Sequence, residues 1–223
     1  MGGSQEERVE KEILDGAYRV KEIFVSVKGE GRWMGYPMIF IRLAECNLAC
    51  RGCDTDFGPP FKEMETWEII KEVKRWPQIQ RIVITGGEPT LQPLYDLGIT
   101  LYEMGYMLHL ETNGAKYQTI LENFQWIALS PKSQFEPKVL ALAHEVKVPI
   151  TKKGDFEHAE TLRAYDTSQA GKLWYLHPWN DLPGDLRTME SVNRETGRGC
   201  VEYAISTGRW LVSTQIHKYL GIK

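Results

Sequence analysis

Apolar positions along this chain switch repeatedly between the period of a strand and the period of a helix. Tyr18 to Val27 and Met38 to Leu43 are dense in apolar and β-branched residues and predict strands. Thr66 then offers an N-cap for a helix over Trp67 to Trp76, with Trp67, Ile70 and Val73 on one face. Arg81 to Thr85 (RIVIT) has the continuous apolar character of a buried strand. Leu94, Leu97 and Leu101 mark one face of a helix over Leu94 to Met104, and Gly105 suits its end. Met107 to Glu111, Trp126 to Ser130, Val146 to Ile150, Leu173 to His177 and Trp210 to Ser213 read as further short strands. Helical stretches fall between them, near Tyr117–Asn123, Pro137–His144, Phe156–Tyr165 and Leu186–Thr196. Strands alternating with helices predict an α/β fold, a single-domain partial (β/α) barrel of mostly parallel strands with helices outside. The domain takes in residues 16–223, behind an extension over residues 1–15 that is helical or mobile.

Polar residues gather where the predicted strands end. Arg42 and a cysteine-bearing loop follow one strand, and Thr85-Gly86-Gly87-Glu88-Pro89 follows another. Glu111-Thr112-Asn113-Gly114, Ser130-Pro131-Lys132 and His177-Pro178-Trp179-Asn180 follow three more. Parallel sheets and barrels bind ligands at the carboxyl ends of their strands, so these endings predict one mouth and one site.

Composition narrows the class. The 223 residues are 42% hydrophobic and 26% charged, enough for one well-buried core. A net charge of −3 argues against a nucleic-acid-binding face. No apolar run is long enough to span a bilayer, and the polar N-terminus lacks a signal peptide's apolar stretch, so the expected compartment is the cytoplasm. Cysteines there are ligands or nucleophiles sooner than disulfides. Cys200 stands apart and reads as a plain thiol. Cys46, Cys50 and Cys53 form C-x3-C-x2-C, three thiolates in one short loop. Three thiolates on a four-iron cluster leave one iron open to bind a small molecule. The other reading is a zinc site that borrows Cys200 or a histidine, but such modules usually offer a second close cysteine pair and this chain has none.

C-x3-C-x2-C after an early strand resembles the radical S-adenosylmethionine (SAM) superfamily. Gly86-Gly87-Glu88 is similar to that superfamily's glycine-rich segment for the SAM amino group, where backbone carbonyls and a carboxylate accept from an ammonium. A narrower resemblance covers Tyr18 to the last residue. Lys21-Glu22-Ile23-Phe24, Gly29-Glu30-Gly31, Cys53-Asp54-Thr55-Asp56-Phe57, Thr85 to Pro89, Glu111 to Gly114, Ser130 to Lys132 and Gln215-Ile216-His217-Lys218-Tyr219-Leu220 resemble the 7-carboxy-7-deazaguanine synthase family in order and spacing. Its fold is an abbreviated radical SAM core.

The resemblance implies a role for each matching residue. Cys46, Cys50 and Cys53 would hold a [4Fe-4S] cluster. SAM would lie against Gly52, Cys53, Asp54, Gly87, Ser130, Pro131, Lys132, His177, Pro178, Trp179 and Asn180. Thr55 matches a ligand of Mg²⁺, for which a hydroxyl oxygen is a suitably hard donor. Val27, Lys28, Gly29, Arg42, Thr85 and His217 match substrate contacts, Glu30 and Glu111 would give polar support, and Lys223 matches a position whose carboxylate reaches the substrate. Arg42 also makes sense independently, since a guanidinium fork holds a carboxylate in two-point contact. Three positions depart from the usual residues of the family. Lys28 and His177 stand where glutamine is common, and Gly52 replaces an aromatic residue. The implied reaction is the radical ring contraction of 6-carboxy-5,6,7,8-tetrahydropterin to 7-carboxy-7-deazaguanine with release of ammonia, for queuosine and related 7-deazapurines, with SAM used catalytically. A flavodoxin- or ferredoxin-type electron donor and a homodimer are implied as well, with no membrane and no direct nucleic-acid contact. The rival readings are a radical SAM activase of a glycyl-radical enzyme and a non-catalytic zinc-stabilised module.

Overall fold

Alternation along the strands settles which side chains meet the helices and which meet the site. The computed structural model describes residues 17–51, 53–132, 134–168, 171–179 and 193–223. Nine strands form one sheet: β1 (Tyr18–Val27), β2 (Pro37–Leu43), β3 (Lys62–Met64), β4 (Arg81–Gly86), β5 (Met107–Thr112), β6 (Trp126–Leu129), β7 (Glu145–Ile150), β8 (Leu173–Pro178) and β9 (Leu211–Val212). Their order is β3-β1-β2-β4-β5-β6-β7-β8-β9. β1 pairs antiparallel with β2 and β3, and every ladder from β2 to β9 is parallel. The result is the open partial barrel that the alternation of elements predicts.

Among the described residues, six α-helices serve as crossovers and closing segments: α1 (Thr66–Val73), α2 (Tyr95–Glu103), α3 (Pro137–Leu142), α4 (Gly154–Tyr165), α5 (Arg194–Thr207) and α6 (Ile216–Leu220). Ile39, Ile41, Ile82, Ile84, Leu108, Leu110, Ile127, Leu129, Val146 and Val148 are buried in one core with Ile69, Leu97, Leu101, Val139, Leu140 and Leu162 of the helices. The alternate residues point the other way, to the concave face: Phe40, Arg42, Val83, Thr85, His109, Glu111, Ala128 and Lys147. The ladders hold them level, with Phe40 beside Val83, Arg42 beside Thr85, Val83 beside His109 and Glu111 beside Ala128. No helix among the described residues is long and apolar enough to cross a membrane.

The connection from β1 to β2 plugs the concave face at the strand starts. Lys28 N–H donates to Tyr36 O at 2.8 Å and Gly35 N–H to Lys28 O at 2.8 Å, which closes this segment into a loop. Trp33 at its tip packs edge-on against Tyr36, His109 and Trp126 at 5.1, 5.2 and 5.7 Å, and the Arg81 guanidinium lies 5.2 Å over its ring.

Most predicted elements appear within a residue or two, and the differences have local causes. Glu65, not Thr66, caps α1: its carboxylate accepts from the helix while Glu68 reaches back to the Glu65 N–H at 2.9 Å. The buried face of α1 is Thr66, Ile69, Ile70 and Val73, and Trp67 is 53% exposed. Tyr117–Asn123 holds only a 3-10 turn over Thr119–Asn123. The helix expected near Leu186–Thr196 is found at Arg194–Thr207, where Asn193 caps it by accepting from Thr196 N–H at 3.0 Å and Gly208 ends it with φ 66°. Residues 186–192 and the extension over residues 1–15 lie outside the described residues. β3 and α6 were not foreseen.

Candidate active site

The cysteine loop leaves β2 through a strained turn. Glu45 has φ 71°, a conformation non-glycine residues seldom take. Its N–H donates to Phe57 O at 3.0 Å and its carbonyl accepts from Glu88 N–H at 2.8 Å, so both ends of the loop are pinned. Gly87 is required there: a Cβ would sit 1.9 Å from Glu45 O and 2.9 Å from Cys46 Cβ. Gly86, with φ 140°, would drive a Cβ to 2.0 Å from Leu43 O. The glycine pair therefore brings the end of β4 against the base of the cysteine loop.

Glu88 behaves differently from the sequence expectation. Its carboxylate is fully buried and accepts from Thr90 N–H (3.0 Å), Thr90 Oγ1 (2.6 Å), Thr112 Oγ1 (2.6 Å) and Asn113 N–H (2.6 Å). Those bonds tie β4 to the end of β5, and the carboxylate, fully buried, does not line the cavity where an ammonium would lie. The backbone part of the glycine-rich reading stands, and the carboxylate part is corrected.

Two cavities adjoin at the strand ends. The larger, of about 910 Å³ including its open mouth, is lined by Cys46, Cys50 and Cys53 together with residues from each of the predicted endings: Gly86 and Gly87, Thr112 and Asn113, Ser130 and Lys132, His177 and Trp179. The smaller, of about 620 Å³, is lined by Val27, Lys28, Gly29, Arg42, His217 and Lys223, with Phe24 and Phe40. Glu30, Asp54, Thr55, Thr85 and Glu111 line both and form the wall between them. Of the residues grouped in sequence as SAM contacts, Cys53, Gly87, Ser130, Lys132, His177 and Trp179 line the larger cavity alone and Asp54 lines both; of those grouped as substrate contacts, Val27, Lys28, Gly29, Arg42, His217 and Lys223 line the smaller alone, and Glu30, Thr85 and Glu111 line both. Pro131 and Pro178 line neither, and Pro178 borders a separate groove beside α5. Gly52 and Asn180 lie outside the described residues.

The three thiols suit an iron–sulfur cluster. Each is partly exposed to the cavity and none is in a disulfide. Leu48 N–H points at Cys46 Sγ at 3.4 Å. Burial raises the pKa of Cys46 and Cys53, so binding iron there displaces protons. Cys200 is buried on α5 and burial pushes its thiol up to about 12, which makes it inert. Among the described residues, no three His, Cys, Asp or Glu side chains are gathered around a point where one metal ion could sit. Three cysteines that each take a separate iron of a cluster need no such convergence.

Charge is concentrated in the shared wall and beneath it. Lys147, on β7, donates to Glu30 at 2.6 Å and to Glu111 at 2.7 Å, and Lys28 pairs with the second oxygen of Glu111. Burial pushes Glu30 up, but Lys147, His177 and Lys28 outweigh it and hold the carboxyl well below the usual range. Glu111 is likewise held down, by Lys147 and Lys28 against burial. Burial drives His177 down to about 4, only partly offset by Glu30, so its ring is neutral. Asp54 accepts from Gln215 Nε2 at 3.1 Å and lies 3.4 Å from the buried Lys218 Nζ and 3.6 Å from His217 Nε2. This contact fastens the C-terminal segment to the cysteine loop.

Arg42 faces Glu22 across the ladder and donates to it at 2.6 Å, while its buried Nε has no partner among the described residues. His217 lies so close to Gly29 that a Cβ there would stand 2.1 Å from its Nδ1, and Ile216 N–H donates to Gly29 O at 3.0 Å. Lys223 is held by Ser26 Oγ, which donates to its main-chain oxygen at 2.6 Å, and by an ion pair with Glu22. Lys132 Nζ donates to Ser130 Oγ at 2.8 Å and lies 5.6 Å over the Trp179 ring. Sequence reading missed Lys147, Lys218 and Gln215 as parts of the site. A lone lysine inside the apolar run Val146-Lys147-Val148 was the available signal for the first.

Residues 41–166 match the radical SAM superfamily. The chain is 34% identical to a 7-carboxy-7-deazaguanine synthase from Synechocystis sp., over 95% of this chain and 97% of the relative. It is 36% identical to one from Neisseria meningitidis serogroup B, over 92% and 94%. The fold matches the crystal structure of QueE from Escherichia coli with a TM-score of 0.77 at 24% identity, covering 96% of this chain and 99% of that one.

Proposed function

The chain belongs to the 7-carboxy-7-deazaguanine synthase family of the radical SAM superfamily, and from that premise we propose that it contracts 6-carboxy-5,6,7,8-tetrahydropterin to 7-carboxy-7-deazaguanine with loss of ammonia, a step toward queuosine. The observation that carries this reading is the pair of cavities joined at one wall. A radical generated in one must reach a carbon held in the other, and a shared wall puts the two reactants side by side.

A [4Fe-4S] cluster on Cys46, Cys50 and Cys53, with SAM on its open iron, supplies when bound the hydrogen-abstracting adenosyl radical. The residues of this chain do the rest. Gly86 and Gly87 keep the backbone close to the cysteine loop. Neutral His177 donates one hydrogen bond and accepts another, as the usual glutamine does, and Trp179 offers a face for stacking. In the smaller cavity, Arg42 takes the substrate carboxylate through the edge that Glu22 leaves open. Glu30 and Glu111 accept from the ring's N–H groups. Phe24, Phe40, His217 and Lys223 line this cavity and give the pterin ring an apolar wall with polar groups at its edge. Thr55 belongs to the shared wall, and its hydroxyl, a hard oxygen donor, would hold a Mg²⁺ ion. The flavodoxin- or ferredoxin-type donor and the homodimer are supported by the resemblance to the family.

The two-cavity reading is tested by separating the ligands. Arg42→Ala is expected to weaken the pterin at least tenfold and leave SAM affinity unchanged. Trp179→Ala is expected to do the reverse. Equal losses of both ligands in both variants would contradict the assignment.

A further inference from the structure

Lys147 has no counterpart in the sequence reading, yet it sits at the centre of the wall. Its side chain is only 3% exposed and it bridges Glu30 and Glu111, which come from different elements and line both cavities. Taking a lysine and two carboxylates out of water is costly, and apolar packing of the same volume usually serves stability as well or better. Ion networks of this kind that border a cavity are functional candidates. The surroundings are built to fit it. Gly31 has φ 69°, and a Cβ there would stand 2.2 Å from the Glu145 carboxylate, so the loop closes tightly over the base of the network.

We infer that Lys147 is a positioning residue for the pterin: it fixes Glu30 and Glu111 as a charged pair, side by side, ready to accept hydrogen bonds from the ring's amino and imino groups. The inference rests on the proposed substrate. Lys28 takes part on one side only, through Glu111, and Lys147 alone spans both acids. With the cation gone, Glu111 keeps Lys28 and Glu30 keeps the Gln215 amide, which donates to it at 2.7 Å, but no cation bridges the two buried carboxylates, and one of them takes up a proton more readily. A protonated carboxyl loses acceptor capacity toward the pterin's N–H groups.

The other groups facing Lys147 set the pH window. Glu145 lies on β7 itself and Tyr175 on β8. His177, Lys132 and Asp54 face Glu30 from β8, the end of β6 and the cysteine loop. These remain in any variant at position 147, so a ratio of variant to wild type isolates the lysine.

The test is the affinity for 6-carboxypterin, read by its fluorescence on the folded, cluster-loaded protein between pH 5.5 and 7.5. Lys147→Met is expected to weaken binding at least tenfold at pH 7. The gap to wild type should widen on acidification by up to about tenfold per pH unit. Lys147→Arg should restore the wild-type pH profile. If the methionine variant does not fold, Lys147→Gln, which keeps a donor and removes the charge, is put through the same series. A constant gap across the range, or none, would overturn the role of Lys147 and leave the substrate intact. Failure of the wild-type protein to bind 6-carboxypterin at any pH would overturn the substrate assignment as well.

Discussion

Single residues divide here into those that touch ligands and those that hold others in place, and Glu88 shows why the two must be separated. In sequence it stands in a ligand-binding motif. In the structure its carboxylate is saturated by four donors from Thr90, Thr112 and Asn113. Glu88→Ala would strand those donors in a buried place, and the expected loss is about 3 kcal/mol or more in urea denaturation. A loss below about 1 kcal/mol would mean the carboxylate is free for a ligand. Sequence could show that a carboxylate follows two glycines; it could not show which donors surround it. Lys147 is the converse case. A charged residue in a strand usually reads as a solvent-facing position, and only the register with β6 and β8 turns it toward the acids. Cys46, Cys50 and Cys53 were legible because their spacing is local and carries its own chemistry.

Elements were legible where packing is simple. The parallel strand β4 is buried on both faces along the apolar stretch Ile82-Val83-Ile84, so it begins where its pattern begins. α5 was misplaced because Gly197 and Gly199 interrupt its apolar face, and its caps, Asn193 and Gly208, are the better signal. The plug between β1 and β2 was invisible, since Trp33 finds its partners only through the fold. It has a consequence for pH. Burial drives His109, edge-on to Trp33, and His177 each down to about 4, so both rings stay neutral in the folded chain. The unfolded chain protonates them below about 6.5, and it therefore binds more protons than the folded chain between pH 6.5 and 4. Stability should fall as pH drops through that window, by about 3 kcal/mol for each ring. Glu30 and Glu111, held low, add to the loss only once the pH passes below the ordinary carboxylate range. His109→Phe removes one ring's share and should flatten the acid side of the stability profile; superimposable profiles would contradict the assignment.

At the scale of the whole molecule, the concave face is layered. Aromatic residues around Trp33 close the strand starts, a layer of paired charges lies above them, and the two cavities open at the strand ends. The convergence of polar strand endings was readable from sequence because parallel strands all end on one side. The division into two cavities was not, since it depends on the C-terminal segment folding back over Gly29 and Asp54. The layering makes one claim above all: a radical source and a carboxylated pterin meet at a common wall. The direct measurement is anaerobic incubation of the iron–sulfur-reconstituted protein with SAM, a one-electron reductant, Mg²⁺ and 6-carboxy-5,6,7,8-tetrahydropterin, followed by mass detection. Accumulation of 7-carboxy-7-deazaguanine that stops when SAM or the reductant is withheld is the predicted result. A loaded cluster that cleaves SAM and leaves the pterin unchanged would contradict it.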